Sequence, residues 1–283
     1  MIKTICVAGA GTMGSGIALA AALANYRVIL FDSNEKVLTN AGQLIGSNLS
    51  TLVAKQKLTE EEKEMAHSRI QYTAVVTDCV ADLVIEAIIE KMEAKVGLFT
   101  SLAAINGSQT ILASNTSSLS INTLQEQVPH PERVAGMHFF NPAQIMKLVE
   151  VVKGKDTAPE VISTLTDMCT RMKKTPVLCI DAPGFIVNRV ARHYYLEAMR
   201  LVEQGIADIE SVDAVMEASG FKMGPFKLMD LIGMDINLAV SQSLYDAFDH
   251  PARFKPSELQ IQKVRSGDLG KKTGKGFYVY AAG

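Results

Sequence analysis

The chain has 283 residues, of which 48% are hydrophobic and 20% are charged, so it can bury the core of one large domain or of two smaller ones. Its formal net charge of −2 excludes the strongly basic character of proteins that grip nucleic acid or acidic membranes. No stretch reaches the roughly 18 to 20 uninterrupted apolar residues that span a bilayer, so no membrane partner is expected.

The cysteines indicate the redox compartment. Four are present, widely separated in the sequence and without a paired CxxC spacing: Cys6, Cys79, Cys169 and Cys179. Such residues within apolar segments are typical of buried, reduced thiols, so neither a zinc site nor a disulfide framework is predicted. The chain starts directly with a strand-like run and shows no cleavable leader, and we therefore expect a cytoplasmic protein.

The first predicted unit is a strand, a glycine-rich turn and a helix. Residues 5–8 form a short apolar run, GAGTMG follows at residues 9–14, and residues 15–25 are rich in alanine and leucine. A second apolar run over residues 28–31 ends at Asp32, eighteen residues after the last glycine. This order predicts a dinucleotide-binding turn, and a tight turn between core elements is the alternative.

Each glycine of this turn has a physical reason. Gly9 permits a tight turn, Gly11 lets a pyrophosphate approach the backbone, and Gly14 lets the helix pack closely on the strand. The phosphates would lie at the positive end of the helix dipole. The predicted cofactor-binding residues of the turn are Gly9, Gly11, Thr12, Met13 and Gly14.

Asp32 indicates which dinucleotide is bound. A carboxylate there accepts hydrogen bonds from the adenosine ribose hydroxyls and repels the 2′-phosphate of NADP. The neighbours Ser33 and Asn34 supply no arginine to receive such a phosphate. NAD is the predicted cofactor, and nearby Lys36 is the feature that favours the NADP alternative.

Strand-like and helix-like segments continue to alternate, which predicts a Rossmann-like α/β fold with a doubly wound, mainly parallel sheet. The predicted segments are helices over residues 34–57 and 90–104, a helix opened by a capping box at Thr59, and strands over residues 82–87 and 110–114. The last strand leads into NTSS at residues 115–118, where open α/β sheets bind ligands. A helix N-cap and turn is the alternative interpretation of this hydroxyl-rich segment.

The second half changes character near residue 183. After a strand over residues 176–180, the apolar residues recur at helical spacing over residues 185–203, 209–218 and 231–248. Glycines interrupt this pattern at Gly205, Gly220, Gly224 and Gly233. We therefore predict an NAD-binding domain over residues 1–183 and an all-helical domain for substrate binding and dimerisation over residues 184–283. Helices that are apolar on more than one face need a partner, so a homodimer is expected.

Two short segments allow more than one interpretation. In GMHFFNPAQIMKLVEV, residues 136–151, an apolar run holds His138 and Glu150, although a histidine on an apolar strand is more often a core residue than a catalyst. The tail over residues 270–278 is similar in composition to a phosphate loop but lacks the Walker spacing. A turn that leads to a packed aromatic end is the expected role of the tail.

Together these motifs resemble the L-3-hydroxyacyl-CoA dehydrogenase family, most of all its free-standing bacterial 3-hydroxybutyryl-CoA dehydrogenases. The resemblance extends from about residue 3 to residue 280. The motifs that carry it, besides Asp32, are GAGTMG, VIEAIIE, ASNTSSLSI, GMHFFNPAQIMKLVEVV, DAPGFIVNR, MGPFKLMDLIGMD and GKKTGKGFYVY.

The resemblance implies roles for His138 and Glu150. The histidine would be the general base that takes the hydroxyl proton during oxidation, since an imidazole exchanges a proton near neutral pH. The glutamate would orient the ring and stabilise the imidazolium that forms. Ser117 and Asn188 would contact the 3-oxygen and thioester region of the substrate. Because Asn188 starts the first helix of the second domain, the site would close between the two domains.

The resemblance also implies further binding residues and a reaction. Glu90 and Lys95 would lie near the nicotinamide half of NAD, and Asn115 beside its ribose. Lys55 would contact the coenzyme A phosphates, with Lys57 as the alternative. The implied activity is reversible NAD-dependent oxidation of an (S)-3-hydroxyacyl-CoA, with a short acyl chain favoured.

Several alternatives remain at this point. The substrate could be the dicarboxylic 3-hydroxyadipyl-CoA. The protein could be a non-catalytic NAD-binding structural or sensor protein, but the full catalytic set argues against this. A β-hydroxyacid dehydrogenase with a lysine base is disfavoured by the His138–Glu150 pair. The lack of a hydratase-like extension disfavours a fragment of a multifunctional fatty-acid oxidation protein.

Overall fold

The computed structural model describes residues 2–280; Met1 and residues 281–283, which the predicted domain ranges include, lie outside the described residues. The chain divides into two compact units, with the division between Ala182 and Pro183. Each unit has its own hydrophobic core.

The first unit is built on an eight-stranded sheet with the order β3-β2-β1-β4-β5-β6-β7-β8. Its strands are β1 (Thr4–Ala8), β2 (Arg27–Phe31), β3 (Ile70–Thr73), β4 (Leu83–Glu86), β5 (Ile111–Ser114), β6 (Val134–Phe139), β7 (Leu148–Lys153) and β8 (Thr175–Ile180). Only the β6–β7 pair is antiparallel among the described strands. The predicted doubly wound, mainly parallel sheet is confirmed.

The helices of the first unit connect these strands. They are α1 (Thr12–Leu23), α2 (Glu35–Ala54), α3 (Glu60–Ser68), α4 (Met92–Ile105), α5 (Ile121–Gln125) and α6 (Pro159–Arg171). The predicted capping box is confirmed, because Thr59 and Glu62 exchange side-chain to backbone hydrogen bonds at the start of α3. Helix α1 begins three residues earlier than predicted, because Gly11 serves as its N-cap.

The strand order creates a crevice at the carboxyl edge of the sheet. β1 pairs with β2 on one side and with β4 on the other, so the chain leaves β1 and β4 toward opposite sides of the sheet. This is a topological switch point, where open α/β sheets bind ligands. Strands β4 and β5 are buried along their whole length, which explains their continuous apolar sequences.

The second unit is helical. Its helices are α7 (Val187–Glu203), α8 (Ile209–Ala218), α9 (Pro225–Ile232), α10 (Met234–Ala247) and α11 (Glu258–Arg265). The segment with helical spacing over residues 231–248 covers the end of α9 and the whole of α10, and the break indicated at Gly233 is found there, where Gly233 adopts a φ of +103°. Helices α9 and α11 had no predicted segment of their own.

A buried aspartate anchors the tail of the second unit. Asp230 accepts hydrogen bonds from the backbone N–H groups of Phe277 and Tyr278 and from the hydroxyl of Tyr280. The ring of Phe277 packs edge-on against Phe226, with 4.8 Å between centroids. The tail is thus a turn that leads to a packed aromatic end, as the sequence indicated.

Two further predictions concern the cysteines and the membrane. Cys6, Cys79 and Cys169 are buried thiols, whereas Cys179 is only half-buried, so its predicted burial is wrong. Cys179 lies on β8, which has a neighbour on one side only within the sheet. Within residues 2–280, no helix is long and apolar enough to span a bilayer.

Candidate active site

The glycine-rich turn joins β1 to α1 at the switch point. Gly9 has a φ of +106°, and a Cβ there would lie 2.5 Å from the carbonyl oxygen of Ala87. A Cβ on Gly14 would overlap the carbonyl of Gly9, so both positions require glycine. A Cβ on Gly11 would meet nothing within 4 Å. The backbone at Gly11 is therefore open to a ligand, as a pyrophosphate requires.

Asp32 lies against this turn. One of its carboxylate oxygens accepts from the Ala10 N–H at 2.9 Å, and the other accepts from the Asn34 N–H at 3.0 Å. These bonds hold a negative charge beside the turn and at the end of β2. The open backbone at Gly11, the N-terminus of α1 and this carboxylate fit the pyrophosphate and adenosine ribose of NAD.

His138 and Glu150 lie opposite each other on the antiparallel strands β6 and β7. Nδ1 of His138 is 2.7 Å from Oε2 of Glu150, and both residues are buried, with 7% and 1% exposure. A carboxylate only accepts, so Nδ1 donates its proton to Glu150. The lone pair of the neutral ring is then on Nε2, which is the arrangement that a general base needs.

This pair belongs to the same edge of the sheet as the glycine-rich turn. His138 is near the carboxyl end of β6, which runs parallel to β5. Glu150 is near the start of β7, which runs in the opposite direction and so begins at that edge. Asn115, directly after β5, accepts at Oδ1 from the Phe139 N–H at 2.8 Å. The end of β5 is thereby fixed to the strand that carries His138.

Ser117 and Glu90 are brought together at the ends of β4 and β5. The carboxylate oxygen Oε1 of Glu90 accepts from the Ser117 N–H at 2.9 Å and from the buried Thr116 hydroxyl at 2.6 Å. Lys95 Nζ lies 3.1 Å from the other oxygen of Glu90. Burial raises the pKa of Glu90, but Lys95 and the hydrogen bonds from Thr116 and Ser117 outweigh burial, so that this pKa is lowered.

The remaining predicted residues lie at or near the ends of helices. Lys55 is the exposed C-cap residue of α2, and Lys57, also exposed, follows it closely. Asn188 is the second residue of α7 and belongs to the second unit. Thr12 and Met13 open α1 beside the glycine-rich turn.

Sequence analysis missed Glu86. This glutamate ends β4, is wholly buried and lies 2.6 Å from Nζ of Lys95. An acidic residue at the end of a fully apolar strand was the available signal, because a buried carboxylate requires partners.

Lys174 was also missed. Its ammonium group donates to the carbonyls of Ala143 at 2.5 Å and Met146 at 2.8 Å, in the loop between β6 and β7. Burial lowers the pKa of Lys174. The same loop packs on α1, since a Cβ on Gly16 would lie 2.7 Å from the side-chain oxygen of Gln144. Lys174 therefore holds the loop that connects the strands of His138 and Glu150.

The fold and the residues at the carboxyl edge of the sheet define the class of protein: a dinucleotide-binding domain followed in the chain by a helical domain. Residues 4–182 match the model of the 3-hydroxyacyl-CoA dehydrogenase NAD binding domain, and residues 184–280 match the model of the C-terminal domain of the same family. The chain belongs to the 3-hydroxyacyl-CoA dehydrogenase family, a family of oxidoreductases. The resemblance and the prediction of NAD are thereby confirmed.

Individual relatives extend this result. The chain is 47% identical to the 3-hydroxyadipyl-CoA dehydrogenase of Escherichia coli K12 over 99% of its own length, but it spans only 60% of that protein. It is 39% identical to the mitochondrial hydroxyacyl-coenzyme A dehydrogenase of Mus musculus, covering 99% of this chain and 92% of the relative. The structure of (S)-3-hydroxybutyryl-CoA dehydrogenase from Ralstonia eutropha is 36% identical, with a TM-score of 0.96 and 100% coverage of both chains.

Proposed function

We propose that the protein catalyses the reversible, NAD-dependent oxidation of an (S)-3-hydroxyacyl-CoA to the 3-oxoacyl-CoA. The observation that carries this proposal is the buried His138–Glu150 pair at the sheet edge that also holds the glycine-rich turn and Asp32. Membership of the 3-hydroxyacyl-CoA dehydrogenase family over residues 4–280 supports it.

The proposed role of His138 follows from the protonation of its ring. Nε2 accepts the proton of the substrate 3-hydroxyl group, which converts the neutral imidazole to imidazolium. Glu150, on Nδ1, fixes the tautomer beforehand and stabilises the positive charge afterwards, the logic of a hydrolase triad applied to a secondary alcohol. Bound NAD supplies the acceptor for the hydride that leaves C3.

Donors near the 3-oxygen would favour the reverse reaction, in which that oxygen gains negative charge. We assign this role to the hydroxyl of Ser117 and the amide of Asn188. The hydrogen bond from the Ser117 N–H to Glu90 supports the assignment of Ser117, because it fixes the backbone that carries the hydroxyl. For the coenzyme A phosphates, we keep Lys55 as the contact and Lys57 as its alternative.

Two acyl groups are candidates. The relative from Ralstonia eutropha is named for 3-hydroxybutyryl-CoA, whereas the Escherichia coli relative, at 47% identity, is named for 3-hydroxyadipyl-CoA. We propose a short acyl chain as the first candidate and the dicarboxylic substrate as the second. A single methylene is worth only about 1 to 3 kcal/mol of discrimination, so a preference between them must be measured.

The test is the loss of NADH absorbance when the purified protein is mixed with acetoacetyl-CoA. Longer and dicarboxylic 3-oxoacyl-CoAs, and NADPH in place of NADH, complete the series. Rapid loss with NADH is expected, and the ranking of the acyl groups then gives the specificity. No loss with any substrate, from protein that binds NADH, would contradict the proposed activity and favour a structural or sensing role.

We also propose a homodimer through the helical unit. Val190, Leu231 and Ile236 are large apolar residues on its surface, each more than half exposed. A second copy of the chain would cover such residues. Sedimentation at micromolar concentration should show a dimer, and a monomer would contradict this proposal.

A further inference from the structure

Glu86 is a buried carboxylate that the proposed mechanism does not use. It has no exposed surface and ends β4, at the carboxyl edge of the sheet. Oε1 accepts from the Ile88 N–H at 2.7 Å, and Oε2 accepts from the Ser114 hydroxyl at 2.6 Å. These bonds fix the carboxylate between the ends of β4 and β5, close in sequence to Asn115 and Ser117.

Lys95 connects Glu86 to the surface of the site. Its ammonium group is 2.6 Å from Oε1 of Glu86 and 3.1 Å from Oε2 of Glu90. The Lys95 side chain is 1% exposed and that of Glu90 is 36% exposed. The three charges therefore form a line that runs from the interior of the first unit toward its surface.

Glu90 in turn organises the segment after β5. Its Oε1 accepts from the Thr116 hydroxyl at 2.6 Å, the Ser117 N–H at 2.9 Å and the Ser118 hydroxyl at 3.2 Å. These three residues are consecutive, so one oxygen atom of Glu90 holds three successive residues of the turn. A shift of Glu90 would move the backbone that carries the Ser117 hydroxyl.

We propose that Glu86 is a positioning residue for the reaction: it holds Lys95, Lys95 holds Glu90, and Glu90 fixes the turn that presents Ser117. This inference rests on the proposed function, because Ser117 matters to turnover only if it contacts the substrate. The ammonium of Lys95 can hold Glu90 in one place only if its own position is fixed, and Glu86 is the buried anion that fixes it.

If the Glu86–Lys95 ion pair served stability alone, its variants would lose stability but not turnover. Replacing both members of a buried pair by neutral groups is often neutral for stability, whereas removing one member leaves an uncompensated buried charge. Stability should therefore fall in Glu86→Gln and in Lys95→Met and recover in the double variant. A positioning role adds that turnover stays impaired in the double variant, because Glu90 still lacks its cation.

Asp181→Asn provides the matched control. Asp181 also accepts from one serine hydroxyl, that of Ser120, and from one backbone N–H, that of Asn122. Both of these donors lie outside the Glu86–Lys95–Glu90 line, so neutralising the half-buried Asp181 removes a carboxylate with similar hydrogen bonds and leaves that line intact. This variant should keep the wild-type kcat.

The experiment measures thermal stability and kcat for acetoacetyl-CoA reduction at saturating NADH in the wild type, the two single variants, the double variant and the control. Saturating concentrations of both substrates separate a slower reaction from weaker binding. We expect kcat to fall about 10-fold to 100-fold in all three Glu86 and Lys95 variants, as for a displaced reacting group. We also expect the double variant to be more stable than either single variant.

Two results would overturn the inference alone: a double variant that regains wild-type kcat together with its stability, or Glu86→Gln with wild-type kcat. If Lys95→Met does not fold, Glu86→Gln still decides, because it retains Lys95. A wild-type protein that reduces no 3-oxoacyl-CoA would instead overturn the proposed function, and this inference with it.

Discussion

The two units of the molecule use buried carboxylates differently. In the first unit, Glu150 faces the ring of His138 and Glu86 faces the ammonium group of Lys95. In the second unit, Asp213 and Asp230 accept hydrogen bonds from backbone N–H groups and tyrosine hydroxyls. Burial alone therefore does not distinguish a carboxylate that faces a basic side chain from one that holds loops together; its partners do.

The tyrosines of the second unit make this contrast sharper. Burial raises the pKa of Tyr280, and its hydrogen bond to Asp230 raises that pKa further. Burial and the bond to Asp213 raise the pKa of Tyr278 in the same way. Both phenols therefore remain protonated donors near neutral pH and act as fixed cross-links. The neutral ring of His138 differs from these phenols in its role: it donates from Nδ1 to Glu150 and also carries an acceptor, Nε2.

The contrast between the two units can be tested by mutation, and we expect the largest loss of activity in His138→Ala. Removal of the proposed base should lower kcat for acetoacetyl-CoA reduction roughly 100-fold to 10,000-fold. His67→Ala is the control, because His67 lies exposed in α3. A His138→Ala enzyme with normal turnover would remove His138 from the mechanism.

A second large effect is expected for Glu150→Gln. The amide keeps the shape of the side chain but no longer stabilises the imidazolium or enforces one tautomer, so kcat should fall by about 100-fold or more. The steady-state rate at saturating substrate checks this, with the exposed Glu126→Gln as a control. Equal rates in Glu150→Gln and the wild type would make Glu150 a structural residue like Asp230.

In the second unit, Asp230→Asn should lower stability and spare the reaction. The amide cannot accept all three hydrogen bonds that the carboxylate accepts, so one or two partly buried donors lose their partners, at about 1 to 3 kcal/mol each. Urea unfolding measures this loss. An unchanged midpoint would show that the tail does not depend on Asp230.

The smallest effect concerns the pH dependence of stability. Because the pKa of Glu90 is lowered in the folded protein, its contribution to stability is complete above the ordinary value of 4.5 and is lost as the pH falls through the lowered pKa. Lys95 is the largest of the influences that lower this pKa, so removing Lys95 should raise the pKa of Glu90. In a variant without Lys95, the loss of stability on acidification should therefore occur at a higher pH.

The comparison that isolates this shift is Glu86→Gln against Glu86→Gln/Lys95→Met, because Glu86 is absent from both and only Lys95 differs. Thermal melting from about pH 3 to pH 7 covers the range in which carboxylates titrate. Parallel curves for the two variants would show that Lys95 does not control the ionisation of Glu90.

Local patterns predicted the strand–turn–helix structure around the glycine-rich turn correctly. Gly9, Gly14 and Asp32 belong to a short strand–turn–helix–strand unit, and each has a reason that is readable from its neighbours in the sequence. The partnership of Glu86 could not be read in this way. Its partner Ser114 is 28 residues away and is brought close only by the pairing of β4 with β5.

The second unit was predicted less accurately for a related reason. Helices α9 and α11 were not predicted as separate elements, although the sequence pattern marked Gly233 as a break and the positive φ of Gly233 separates α9 from α10. The opposition of His138 and Glu150 is likewise a product of strand pairing. Resemblance to known dehydrogenases indicated the pair; spacing within the sequence alone did not.

The most direct single measurement compares three proteins in one assay of NADH oxidation by acetoacetyl-CoA, with rates normalised to folded protein: wild type, His138→Ala and Asp230→Asn. Wild type and Asp230→Asn should turn over at similar rates, and His138→Ala should be slower than both by at least about 100-fold. Equal rates in His138→Ala and wild type, or an equal loss in the folded Asp230→Asn protein, would contradict the assignment of the chemistry to the His138–Glu150 pair.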